Sequence, residues 1–177
     1  MTVTDPLDPL APPAPLPGDF EAALSGGHPN SLGNTLAVVE AILADETRLD
    51  ELLDCYRSED AVVRLRVSSA LKRVTKERPE WVAPHLELLL TEIAAIDQPS
   101  TRWTLATVFD LLAERMTAAQ RSAATAVMQR NLLESDDWIV QNTTMQVLTE
   151  WASSDASLEE WVVPELRRLV GSPRKSV

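Results

Sequence analysis

Three stretches, Asp60 to Leu71 (DAVVRLRVSSAL), Gln98 to Phe109 (QPSTRWTLATVF) and Asp137 to Leu148 (DWIVQNTTMQVL), write the same amphipathic helix three times. Sliding Val62 to Lys76 by 38 residues lays it on Ser100 to Glu114, and sliding it by 77 lays it on Ile139 to Ser153. Apolar positions coincide in each copy: Val67 with Leu105 and Thr144, Ala70 with Val108 and Val147, Leu71 with Phe109 and Leu148, Val74 with Leu112 and Trp151. A literal match runs beside it, EWVAPHL at Glu80 to Leu86 and EWVVPEL at Glu160 to Leu166. Self-similarity at this period marks a stacked repeat. A unit of one helix pair cannot bury its apolar stripes alone, whereas neighbouring copies bury them against each other.

Outward from these copies the pattern stays helical, with apolar residues three and four apart and no period-2 strand. The spacing predicts helices at 19–25, 31–44, 46–57, 61–77, 80–96, 99–115, 117–133, 137–152 and 158–170. Breakers separate them: Gly26-Gly27 and Pro29, Asp45, Ser58-Glu59-Asp60, Arg78-Pro79, Asp97-Gln98-Pro99, Ser135-Asp136 and Ser153-Ser154-Asp155. Every link is short, so successive helices are expected to pack as antiparallel neighbours. The expected class is all-α, an α-α superhelix of about four to five antiparallel helix pairs over residues 19–170.

The repeats resemble the HEAT family, whose second helix typically opens with Asp, then Val-Arg, then small residues before a Leu. Asp60, Val63-Arg64 and Ser68-Ser69-Ala70-Leu71 carry the likeness. The third copy departs by placing Gln141 where the others have Arg64 and Arg102. Ser31-Leu32-Gly33-Asn34, the WV-x-P helix start and the Arg102-Trp103 pair are similar to a group of small bacterial HEAT-repeat proteins without an assigned activity. The resemblance implies that 60–71 belongs to an inner helix facing a concave groove. It also implies a structural ladder in which Arg64 and Arg102 bridge to acids such as Asp60 and Asp97. At Gln141 a glutamine can still hydrogen-bond the neighbouring turn.

Composition narrows the role. The 177 residues carry 16 Lys+Arg against 27 Asp+Glu, net -11, which opposes attraction to phosphate backbones and anionic lipid. Residues 1–60 hold 12 acids and 2 bases, whereas 61–177 hold 15 acids and 14 bases. Six prolines among the first 17 residues predict a disordered tail over 1–18, with a PxxP spacing at Pro12 to Pro15. A short basic tail is expected at 171–177. The single cysteine, Cys55, excludes an internal disulfide, and MTVTDPLDPL has neither the basic nor the apolar region of a secretory signal, so the expected location is cytoplasmic and no membrane association is expected.

Searches for reaction chemistry yield no catalytic residue, cofactor or metal. His28 and His85 lack a partner at metal-ligand spacing, Cys55 has no nearby His, and the five glycines form no phosphate-binding loop. Arg64, Arg66, Lys72, Arg73, Lys76 and Arg78 concentrate six bases against Glu77 on one helix and its exit. Of the five tryptophans, Trp81 and Trp161 recur at equivalent helix starts and read as packing residues. Trp103 and Trp138 open inner helices, where amphipathic rings serve as binding anchors.

The expected function is a non-enzymatic scaffold or adaptor that binds another protein through its concave groove, with Arg66, Arg73, Trp103 and Trp138 as the partner-binding residues. One alternative is a nucleic-acid-binding protein of the DNA-repair or glycosylase type, with Arg102, Trp103, Asp110 and Trp138 in the groove. One basic helix in so acidic a chain disfavours it. A further alternative is an accessory subunit of an enzyme. Partner identity and oligomeric state are not written in these patterns.

Overall fold

Asp60 shows how this chain starts a helix: its carboxylate accepts the Val62 amide at 2.8 Å, and the chain enters a 17-residue helix. In the computed structural model, which describes residues 16, 18–28 and 31–170, such caps recur. Asp19 accepts from the Ala22 amide (2.8 Å), and Asp137 from the amides of Ile139 and Val140 (2.9 and 3.1 Å). Thr117 and Gln120 close a reciprocal capping box. Pro79 and Pro99 open helices at positions where the missing N–H has no partner to lose.

The resulting elements are α1 (Phe20–Leu24), α2 (Thr35–Ala44), α3 (Leu49–Asp54), α4 (Ala61–Glu77), α5 (Pro79–Val82), α6 (Leu86–Leu90), α7 (Pro99–Leu111), α8 (Ala118–Glu134), α9 (Trp138–Ala152) and α10 (Ala156–Val170). The all-α class holds, with no strand among the described residues.

One expected helix is shortened and three are divided; 99–115 ends as α7 at Leu111, with a 3-10 turn at Ala113–Arg115. Residues 31–34 form a turn, with Gly33 at φ +50°, and α2 starts only at Thr35. The span 46–57 becomes α3 flanked by 3-10 turns; Asp45 accepts from both the Thr47 hydroxyl and its amide, which tightens the entry and lowers the Asp45 carboxyl pKa. The span 80–96 breaks at Pro84, which has no donor for the preceding turn, and α6 stops at Thr91. Its sequence twin behaves differently, because Pro164 sits inside an unbroken α10. At the front, Leu16 packs half-buried against the core. Residues 1–15 and 17 of the expected tail, with the PxxP spacing, and the basic segment 171–177 lie outside the described residues.

The helices holding the copies lie side by side: α2 against α4, α4 against α7, α7 against α9. Behind them, α6 lies against α8, while α8 and α10 both pack on α9. All the equivalent apolar positions of the three copies are buried. The same register extends to α2 at an offset of 32 residues, where Thr35, Val38, Val39 and Ile42 match Val67, Ala70, Leu71 and Val74 and are buried as well. Four helices thus present the same stripe to one continuous core.

Candidate functional site

Arg66 stands in the core, 2% exposed, and its donors are consumed by main-chain carbonyls. Nη1 donates to Leu24 O (2.5 Å), Ser25 O (3.2 Å) and Gly26 O (2.7 Å), Nη2 to His28 O (3.1 Å), and Nε to Ser31 O (3.1 Å). No carboxylate pairs with it among the described residues. Carbonyl dipoles at the end of α1 and in the following turn balance its charge. Gly33, Ser31 and Asn34 complete this cradle. A β-carbon on Gly33 would stand 2.9 Å from Arg66 Cζ, the Gly33 amide donates to Ser31 Oγ, and Asn34 Nδ2 donates to Ala23 O. The expectation that Arg66 meets a partner is therefore corrected: a buried guanidinium already bonded on every nitrogen has no face to offer.

The expected ladder is present at Arg102 and takes a different form at Arg64. Arg102 Nη2 meets Asp97 at 3.0 Å and Glu134 at 3.8 Å. Arg64 makes no ion pair with Asp60, whose carboxylate is occupied by its helix cap; it donates instead to Ser58 O (2.5 Å) and Gln98 Oε1 (2.7 Å). Gln98 Nε2 returns a bond to Ala61 O, joining the openings of α4 and α7. In the third copy Gln141 Nε2 donates to Ser135 O at 2.8 Å, the counterpart of Arg64 on Ser58 O. The turns match too: Ser58 Oγ accepts from the Asp60 amide and Ser135 Oγ from the Asp137 amide, both at 3.2 Å.

Positions off the buried stripe form an accessible face. Leu65, Trp103 and Asn142 share one register level, Ser69, Thr107 and Gln146 the next, then Lys72, Asp110 and Thr149. On α4 and α7 these residues are half-buried, and on α9 they are exposed. Arg73 is half-buried and, among the described residues, bonds only within its own helix, to Ser69 O (3.0 Å) and Ser69 Oγ (2.6 Å). Among the described residues, Lys72, Arg73 and Lys76 have no ion pair within 4 Å. Trp138, the first residue of α9, is 49% exposed. Arg73 lies level with Leu111, eight residues beyond Trp103 on α7, so the cation and the indole are separated by about 12 Å along the helices.

A second feature was not legible as a site in the sequence. A cleft of about 1020 Å³ opens between the first turns of α8 and α10, with Trp151 in its wall and Trp161 opposite. The Arg121 guanidinium lies 3.9 Å over the Trp151 ring, and Trp151 Nε1 donates to Asp110 Oδ1 at 3.0 Å. Asp110, the acid the glycosylase alternative would use, is thereby held by a structural indole. Only the cation-aromatic spacing across a turn could have signalled the arrangement.

Comparison with family models, curated proteins and solved structures gives no match. The site therefore stands on its own geometry. Among the described residues no cluster of His, Cys, Asp and Glu could hold a metal ion, and no helix is long and apolar enough to cross a membrane. Cys55 is buried, donates to Glu51 O (3.1 Å), and is pushed up to about 12 by burial and then by the surrounding Glu21, Glu51, Asp19 and Asp54, so at neutral pH it is a thiol and a poor nucleophile.

Proposed function

We propose that the chain is a HEAT-like α-solenoid that acts as a non-enzymatic scaffold, holding another protein across the accessible face of α4, α7 and α9. The observation that carries this reading is the common register of α2, α4, α7 and α9, which buries the same stripe in each helix and leaves the same positions accessible. A surface repeated in this way suits an extended partner, with Trp103 and Trp138 as aromatic anchors and Arg73 as a polar contact about two helical turns away. Arg66 belongs to the scaffold and drops out of the binding set.

Capture of partners from native lysate, with and without nuclease, tests the reading. The wild-type chain is compared with a Trp103→Ala, Arg73→Glu variant, whose substitutions fall on half-buried positions and whose helical circular dichroism serves as the folding control. A nuclease-resistant protein retained by the wild type and lost by the variant is the expected result. Retention that disappears with nuclease overturns it in favour of nucleic acid. A captured protein indifferent to both substitutions removes this face from the account.

A further inference from the structure

Trp138 and the end of α10 stand at one corner of the molecule. The short link from Ser153 to Asp155 joins α9 and α10 as an antiparallel pair. Each has 15 residues, so at a common rise per residue the last turn of α10 comes level with Trp138, the first residue of α9. A groove of about 380 Å³ runs between the two helices, with Asn142 and Met145 on one wall and Leu166 and Leu169 on the other. Trp138 precedes Asn142 by four residues and Met145 by seven, which places its 49% exposed side chain on the groove side of α9, at the mouth.

Charge at this corner is predominantly negative. Glu134, Asp136 and Asp137 lie within four residues of Trp138. The last turn of α8, which ends here, carries no base, so its carbonyl dipoles add to the negative field. Of the cations nearby, Arg102 meets Asp97 at 3.0 Å and Glu134 at 3.8 Å, and Arg168 pairs with Glu165 at 2.7 Å; Arg167, in the last turn of α10, offsets part of the remainder. The chain leaves α10 at this same corner and continues as Gly171-Ser172-Pro173-Arg174-Lys175-Ser176-Val177. A glycine just past a helix end and a proline two residues on favour a change of direction. Seven residues span up to about 23 Å, more than the ~10 Å between the axes of packed helices.

We propose that residues 171–177 turn back across Trp138 into the mouth of the groove between α9 and α10, with Arg174 and Lys175 drawn to the carboxylates around the indole. Position and charge select this occupant: it starts level with Trp138, and its two bases meet an acidic corner. The segment covers an anchor that the scaffold reading assigns to a protein partner, so segment and partner exclude one another. The exclusion rests on that reading; the docking does not.

The indole N–H resonances of the full chain, which has five tryptophans, test the docking without any partner. The peak lost in Trp138→Phe identifies Trp138. Ending the chain at Val170 is expected to shift that peak and to increase its broadening by a soluble nitroxide, with the peaks of Trp81 and Trp151 unchanged. An Arg174→Glu, Lys175→Glu variant of the full chain is expected to do the same, and high salt to move the wild type in the same direction. Helical circular dichroism is the folding control. A Trp138 peak indifferent to truncation overturns the docking, and one that answers to truncation but not to charge reversal overturns the contact with the carboxylates. In the lysate capture the truncated chain is expected to retain more protein than the full chain. Unchanged capture beside a shifted peak overturns the exclusion alone. Failure of the scaffold reading shows as no protein captured by either chain, which removes the exclusion with it and leaves the indole result standing.

Discussion

The guanidinium carbon of Arg66 lies 2.9 Å from the point where a β-carbon on Gly33 would stand, so the absence of a side chain at one residue makes room for the charge of the other. Gly33 also holds φ at +50°, a conformation that side chains disfavour. Gly33→Ala is expected to cost about 1–3 kcal/mol, and Arg66→Met, which strands the carbonyls of the cradle, about 3 kcal/mol or more. The pair should be less than additive, since the clash vanishes once Arg66 is gone. Urea unfolding of the two single variants and the double variant measures this; full additivity contradicts the contact.

Gln141 replaces an arginine in sequence and keeps its bond to the preceding turn. Gln141→Ala, which leaves Ser135 O without its donor, is expected to cost about 1–3 kcal/mol, and Asp137→Ala, which uncaps α9, about 1 kcal/mol. Thermal unfolding of both variants checks the assignment. A neutral Gln141→Ala would show that the repeated turn contributes nothing.

Asp110 serves Trp151 rather than a ligand in this account. Asp110→Ala is expected to lower stability by about 1–3 kcal/mol by leaving a buried indole N–H unpaired. Arg121→Gln should cost less, about 0.5–1 kcal/mol, because a cation over a ring is a weaker contact at a partly open site. Near-ultraviolet circular dichroism, which reports the asymmetry of the Trp151 environment, should change in both.

Burial raises the pKa of Cys55, to about 12, and raises that of Tyr56 as well. Both groups are neutral when protonated, and the unfolded chain ionises them near their ordinary values of 9.0 and 10.0. The unfolded state therefore loses protons first. Stability is intact below about pH 9 and falls as pH rises from there toward about 12. Urea midpoints measured at neutral pH and in steps across that window should decline, and Cys55→Ala should make the first part of the decline shallower. A flat profile contradicts the burial of both groups.

Much of the fold was legible because a repeat exposes its own register: Val67, Leu105 and Thr144 align by spacing alone, and all are buried. The α2 copy was not, because Gly33 and Asn34 stand where Leu65 and Arg66 would announce it. Proline gave an ambiguous signal. Pro84 ends a helix in one EWV motif and Pro164 rides inside one in the other. The site was less legible for a clear reason. Arg66 and Arg73 are the same residue type on one helix, and only the cradle from Leu24 to Ser31 distinguishes the buried guanidinium from the accessible one.

Hydrogen–deuterium exchange of the chain, alone and with the protein it captures, tests the scaffold reading most directly. The account predicts added protection in α4, α7 and α9, strongest around Trp103 and Arg73, with α3 and the cleft between α8 and α10 unchanged. Protection confined to that cleft, or absent from α7, would contradict it.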